Sequence, residues 1–183
     1  ESNEYSEKDC IVTGDLTEDT YQAGDRQIGE HDKLTELDRS TWNSLLWRFI
    51  FEPAQRVREQ LGELVPESRQ EGSWREYDPR KYKDADGRIV IIGPALPVGK
   101  KISGHERAKV EVFRGALRPF VTTVNQELSD VLKSNIRVFL ILPGSIDGKE
   151  PSHENLVNTI NYLMTDEKAI SSSEVIFHPD ETR

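Results

Sequence analysis

The sequence has few of the residues that build disulfides and metal centres. Cys10 is the single cysteine among 183 residues, so an intrachain disulfide and a paired-cysteine metal site are both excluded. A chain without disulfides is typical of a reducing, intracellular environment, and the compartment stays open. The histidines lie too far apart to show ligand spacing, so we expect no zinc site; they are His31, His105, His153 and His178.

Long hydrophobic runs and glycine-rich phosphate motifs are also absent. No apolar stretch approaches the ~20 residues that span a bilayer, so we expect no membrane span. Neither a G-x-G-x-x-G nor a P-loop pattern occurs, which removes the usual sequence signals for nucleotide phosphates. The sequence begins at Glu1 without an initiator Met or a signal peptide, so we expect processing, a fragment, or a start outside it.

Basic residues are outnumbered by acidic ones, with 24 Lys and Arg against 33 Asp and Glu and a formal net charge of −9 at pH 7. Nucleic-acid binding needs clustered positive charge, so we do not expect nucleic acid as a partner. The same balance disfavours binding to anionic membrane surfaces. The acidity therefore indicates ordinary solubility and does not identify a ligand.

The sequence does contain an alternation of apolar runs and helical periodicity. Apolar runs predict four strands, at 9–12, 88–92, 136–142 and 174–177. Apolar residues at helical spacing predict helices at 40–64, 104–132 and, from Ser152 or His153, through Leu163. A run as apolar as 136–142 is typical of a parallel sheet that is covered on both faces. The alternation predicts an α/β fold with right-handed crossovers.

Local signals mark the ends and weak points of these elements. Ser40 is the predicted N-cap of the first helix, and Pro53 is predicted to kink it. Gly115 and Pro119 weaken the middle of the second helix but leave its assignment unchanged. The chain is interpreted as one domain over 1–183, with loop or disordered structure in three segments: 1–8, 15–38 and 66–86.

Six segments, in chain order, resemble the second half of the short-chain dehydrogenase/reductases. The matching pieces are 9–14 (fourth strand and turn), 38–42 with Leu45 and Leu46 (fourth helix), 87–92 (fifth strand), 135–138 with 143–147 (sixth strand and proline-glycine turn), 155–167 (late helix) and 172–176 (last strand). The resemblance implies a Rossmann-like parallel sheet with flanking helices that is truncated or incomplete in its N-terminal half. Without strands one to three, the edge at 9–12 would be open, so a missing segment, a partner or loop 15–38 must cover it.

The resemblance also places the family's catalytic groups on unsuitable residues. Family members transfer a proton through a tyrosine and a lysine four residues later on one helix. Here that pair is His105 and Lys109, so the spacing is kept and the phenol is lost. The family's serine falls at Pro94, which has neither a hydroxyl nor an N–H, and its asparagine falls at Phe49. The resemblance therefore implies a degenerate active site.

Cofactor binding depends in this family on a glycine-rich turn after the first strand, and the sequence begins near the fourth strand. The remaining candidates for a cofactor contact are Gly14, Lys109, Pro143 and Gly144. We therefore expect no cofactor, and NAD(P) only if the chain is an oxidoreductase with an atypical site.

Three functions stay open at this point. The first is a non-catalytic subunit that binds a protein partner as a homo- or hetero-oligomer through helices 40–64 and 104–132, the pair through which the family dimerises. Trp47 and Phe51 exceed what one core-facing stripe needs. The second is an NAD(P)H-dependent oxidoreductase that uses His105 and a first half outside this sequence. The third is a scaffold domain of a larger assembly that docks through its polar loops.

Overall fold

A parallel β-sheet organises the chain. The computed structural model describes residues 10–12, 21–23, 26–28, 33–65, 79–95, 104–144, 153–165 and 174–177. In chain order the strands are β1 (Cys10–Val12), β2 (Tyr21–Ala23), β3 (Arg26–Ile28), β4 (Arg88–Ile92), β5 (Arg137–Pro143) and β6 (Glu174–Phe177). The sheet has the order β1-β4-β5-β6, and every neighbouring pair in it is parallel. The predicted α/β fold is confirmed.

Helices connect these strands and cover both faces of the sheet. They are α1 (Arg39–Leu46), α2 (Glu52–Glu63), α3 (Gly104–Gln126) and α4 (His153–Thr165), with π-helical turns at Trp47–Phe51 and Glu127–Val131. Short 3-10 turns occupy Leu34–Glu36 and Pro79–Lys81. The two π-helical turns follow α1 and α3 directly. The predicted helices 40–64 and 104–132 are therefore each built from more than one helical type.

Alternate residues of the strands pack against opposite helical layers. On one face Ile91 and Leu140 join Val57 of α2 and Leu117 of α3 in the largest apolar cluster. On the other face, side chains of the same two strands pack against α4; they are Val90, Phe139 and Ile141. Because successive strand residues point to opposite faces, a strand covered on both sides must be apolar along its length.

A third apolar cluster joins α1 to α3 beside the sheet. Leu45 and Phe49 from the first helical segment meet Val110 and Phe113 of α3, and all four side chains are buried. The rings of Phe49 and Phe113 lie 5.2 Å apart between centroids and are tilted. This cluster fixes α3 against α1.

Asn125 of α3 supplies hydrogen bonds that a strand would otherwise make. Its Nδ2 donates to the carbonyl oxygen of Val138 at 2.7 Å, and its Oδ1 accepts from the Val138 N–H at 2.9 Å. The pairing of β6 with β5 begins only at Leu140, so the amide of Asn125 satisfies a part of β5 that β6 does not reach.

The predicted N-cap of α1 is corrected, and the helical type changes just before Pro53. Asp38, and not Ser40, is the N-cap, because its Oδ1 accepts from the N–H of Thr41 at 2.9 Å. The interruption before Pro53 takes the form of a π-helical turn in which the N–H of Glu52 reaches the Trp47 carbonyl. Pro53 follows this π-helical turn in the first turn of α2, so the N–H that proline lacks falls where the helical type changes.

The prediction that 15–38 lacks regular structure is wrong in part. An antiparallel pair places Tyr21 opposite Ile28 and Ala23 opposite Arg26, and the Leu34–Glu36 turn precedes α1. Segment 1–8 lies outside the described residues. Of segment 66–86, the structure describes 79–86, where Ala85 is buried in the main cluster.

Candidate functional site

The carboxyl ends of β4 and β5 form the edge at which parallel sheets usually hold their ligands. Gly93 and Pro94 follow β4, while Pro143 ends β5 and Gly144 follows it; all four residues are buried. The N–H of Gly93 donates to the carbonyl of Ile141 at 2.9 Å, which extends the strand pairing to this edge. Three of the predicted site residues, Pro94, Pro143 and Gly144, therefore lie on neighbouring strand ends.

Arg114 of α3 occupies this edge. Its Nη1 donates to the carbonyl oxygens of Pro94 at 2.9 Å and Pro143 at 2.5 Å, and its Nη2 lies 3.5 Å from the carbonyl of Leu142. The side chain is 2% exposed. One guanidinium thus joins the end of β4, the end of β5 and the middle of α3.

The buried charge of Arg114 is balanced mainly by polar groups of the protein. Carbonyl dipoles accept its Nη donors, and Glu111, one helical turn earlier, places Oε2 3.8 Å from Nε. Glu111 is half-buried, and its other oxygen, Oε1, lies 4.0 Å from Nε of the exposed Arg107. A buried cation needs such partners, because an unpaired charge in the interior is strongly unfavourable.

Lys109, the remaining member of the family's catalytic pair, is also buried on α3. Its side chain is 3% exposed, and it lies one turn before Phe113 of the α1–α3 cluster. His105 lies in the first turn of α3, and its side chain is outside the described part of the structure. The geometry between the two side chains therefore stays a prediction.

The other predicted positions divide between the core and the undescribed part of the chain. Phe49 has no exposed surface and packs on Phe113, so it belongs to the α1–α3 cluster. Gly14 lies outside the described residues. The structure thus brings Pro94 and Pro143 together on Arg114, places Gly144 next to Pro143, and gives Phe49 a packing role.

Arg114 is the site residue that the sequence analysis missed. It lies four residues after Val110 and three before Leu117, two members of the apolar stripe of α3. A charged residue inside such a stripe faces the interior of the protein. That spacing was the signal available in the sequence. A buried arginine must find hydrogen-bond acceptors, and free carbonyl oxygens at strand ends are one source of them.

Some kinds of site are absent from the described part of the chain. In the ranges given above, no cluster of three or more His, Cys, Asp or Glu side chains could hold a metal ion. Among those same residues, no helix combines the length and apolar character needed to cross a bilayer.

Comparison with known proteins supports the fold of this chain and does not identify its activity. No family model matches the sequence, and no curated protein matches it. A solved structure does match, described as a metagenomic short-chain oxidoreductase (SDR) in complex with NADP, with a TM-score of 0.55 and 16% identity. The match covers 92% of this chain and 61% of the solved one, so the chain spans less than two thirds of that protein. At this identity the likeness shows a shared SDR-like, Rossmann-like architecture.

Proposed function

We propose that this chain is a non-catalytic subunit with an SDR-like fold that binds and stabilises a protein partner, either a catalytic homologue or another protein. The observation that supports this most directly is Arg114. Its guanidinium is bonded to Pro94 and Pro143 at the carboxyl edge of the sheet, where an enzyme of this architecture holds its ligand. The side chain is buried, so it belongs to the packed interior.

The residues at this edge do not fit the NADP held by the matched structure. The carbonyls of Pro94 and Pro143 already accept from Arg114, and Pro94 carries no hydroxyl to meet a substrate oxygen. Phe49 is packed inside the core, where its ring contacts Phe113. Each of these residues serves the packing of the fold, which favours a structural role over redox chemistry.

An uncovered aromatic surface supports the second half of the proposal. Trp47 is 57% exposed and Phe51 is 54% exposed, and their rings lie 6.3 Å apart on the π-helical turn between α1 and α2. Val112 of α3 is also exposed, although its neighbours Val110 and Phe113 are buried. Large exposed aromatic side chains are typical of protein interfaces. We call Trp47 and Phe51 the aromatic pair.

The surface beside the aromatic pair is concave, and Arg48 is the charged residue in its lining. A shallow depression of about 430 Å³ is lined by Ser40, Asn43, Ser44, Trp47 and Arg48. Small hydroxyl and amide groups around one indole ring suit a side chain from a partner, because they leave space and offer hydrogen bonds. We therefore assign partner binding to this part of helices 40–64.

Light scattering coupled to size exclusion tests the proposal. The chain is analysed alone and mixed with a catalytic SDR from the same source, and we expect a dimer or a mixed complex. The double variant Trp47→Ser, Phe51→Ser should lose the complex and keep its melting temperature, because both side chains are exposed. Val131→Ser is the matched control, since Val131 is equally exposed on another turn. A monomer in every mixture would contradict the proposal.

Cofactor titration tests the competing oxidoreductase function. NADH and NADPH are added separately while nucleotide fluorescence is recorded. We expect no saturable signal, because Arg114 already occupies the strand ends that a nicotinamide would approach. Saturable binding that competes with unlabelled NADP would overturn the non-catalytic assignment and restore the enzyme hypothesis.

A further inference from the structure

Among the described strands, β1 lies at one end of the sheet order. Within the described ranges, β4 is the strand with which β1 pairs, in the register Ile11 to Ile91. Ile11 is buried in the main cluster together with Val57 of α2. Backbone groups of successive strand residues point alternately to the two sides, so β1 also directs N–H and C=O groups away from β4.

A basic crevice lies next to this strand. It is lined by Ile11 of β1 and by one stripe of the neighbouring helical segment: Arg48, Glu52, Pro53 and Arg56. Arg48 and Arg56 each contact a different oxygen of Glu52, both at 3.0 Å. Two guanidinium groups therefore share one carboxylate, which leaves a surplus of positive charge in a chain whose formal net charge is −9.

The arginines of this crevice keep capacity for a further acceptor. The side chains of Arg48 and Arg56 are 39% and 50% exposed. Each guanidinium carries several N–H donors in a planar fork, and its contact with Glu52 uses one of its nitrogen atoms. A second carboxylate could thus be bound without breaking either ion pair.

We propose that the edge of β1 and the Arg48–Arg56 pair form a docking site for an extended acidic peptide segment. The segment adds a strand beside β1 through main-chain hydrogen bonds, and a carboxylate side chain of the segment binds the two arginines. This site shares Arg48 with the depression beside the aromatic pair, but Arg56 and β1 lie outside that depression, so the two contacts can be tested separately.

The charge of the crevice selects this occupant over the other candidates. A basic segment would be repelled by the surplus guanidinium charge. The same crevice of a second copy carries the same surplus, so two copies do not complement each other there. Since β1 is short, main-chain bonds alone are few, and charge-assisted hydrogen bonds must supply much of the affinity.

The first test uses synthetic peptides and fluorescence anisotropy. The probe is labelled acetyl-Val-Glu-Val-Glu-Val-amide, with two comparison peptides: one with Lys in place of Glu, and one with N-methyl groups on alternate backbone nitrogens. We expect saturable binding of the acidic probe and none of the other two. Equal binding of the Lys peptide or of the N-methylated peptide would overturn the proposal, as would no binding of the acidic probe.

The second test changes the crevice. Arg48→Gln with Arg56→Gln should weaken binding of the acidic probe about tenfold or more, because charge-assisted hydrogen bonds are lost. Glu52→Gln should strengthen binding, because it removes the competing carboxylate. Arg58→Gln is the control, since Arg58 is exposed on the same helix and does not line the crevice. Affinity that is insensitive to both crevice variants would contradict the charge mechanism.

Amide hydrogen exchange provides a readout on the strand itself. In the free chain, at least one amide of β1 should exchange rapidly, and the acidic probe should slow it. If the amides of β1 are all protected in the absence of peptide, another part of the chain already covers the edge and the proposal is wrong. The Trp47→Ser, Phe51→Ser variant should retain peptide binding, which separates this result from the outcome of the light-scattering experiment.

Discussion

At the scale of single residues, Arg114 links the carboxyl ends of two neighbouring strands. It is the described side chain that bonds to residues at the ends of both β4 and β5. Such a group stabilises the fold through the acceptors it satisfies, so its removal leaves buried carbonyls without a donor. Its loss should therefore be measurable as stability.

Replacing Arg114 with Met tests this role. We expect a loss of about 3 kcal/mol in the free energy of unfolding, because two buried carbonyl oxygens lose their donor. Urea denaturation followed by circular dichroism measures the change. Arg107→Met is the control on the same helix, and it should change stability by less than about 0.5 kcal/mol because Arg107 is exposed. Equal stability of the two variants would show that Arg114 is not a structural link.

Lys133 offers a stabilising change. Its φ angle is 52°, in the left-handed region that favours glycine, and its carbonyl accepts from the N–H of Asp84, whose φ is 61°. Lys133→Gly should raise the free energy of unfolding by about 0.5 to 1 kcal/mol, because it relieves the Cβ contact of that conformation. Lys83→Gly, at a position without a positive φ, should not stabilise. Thermal denaturation of the two variants distinguishes these outcomes.

At the scale of elements, the start of α1 depends on one carboxylate. Asp38→Ala should lower stability by about 1 kcal/mol, because the N–H of Thr41 loses its acceptor. Ser40→Ala should have a much smaller effect, since Ser40 is already inside the helix. Chemical denaturation of both variants measures the difference. A larger loss for Ser40→Ala would return the N-cap to the position that the sequence favoured.

The regular elements were predictable because their apolar spacing is long and consistent. Strands at 88–92 and 174–177 are confirmed with the predicted bounds, and the central strand is shifted by one residue to Arg137–Pro143. The hairpin of β2 and β3 was missed because strands of three residues carry too little alternation to stand out. Gly24 and Asp25 between them form a hairpin turn signal that could have revealed it.

The candidate site was less predictable than the fold. Pro94, Pro143 and Gly144 follow strands, so their position at one edge could be inferred from the topology of parallel sheets. The presence of Arg114 between them required knowledge of which face of α3 meets the sheet. The helical periodicity of the apolar residues identifies that face. The family resemblance instead pointed to His105 and Lys109, and it gave no reason to consider Arg114.

At the scale of the whole molecule, the net charge of −9 opposes any association of two copies. The aromatic pair provides attraction that salt does not weaken, whereas the repulsion is screened within a Debye length of about 8 Å at physiological ionic strength. Self-association should therefore strengthen as salt is added. Binding of an acidic peptide to Arg48 and Arg56 should weaken over the same range. Sedimentation and anisotropy across a salt series measure the two trends, and parallel trends would show that both contacts share one mechanism.

The amide of Asn125 has a consequence for which partners the backbone of β5 can accept. It bonds to both the N–H and the carbonyl oxygen of Val138, so these two groups are not available for pairing with another strand. A leucine at position 125 would have a similar size, but it would leave the buried N–H and carbonyl oxygen of Val138 without the partners that Asn125 supplies. We therefore expect Asn125→Leu to lower stability and to increase aggregation while the chain refolds, because unpaired strand groups are then available before the core closes.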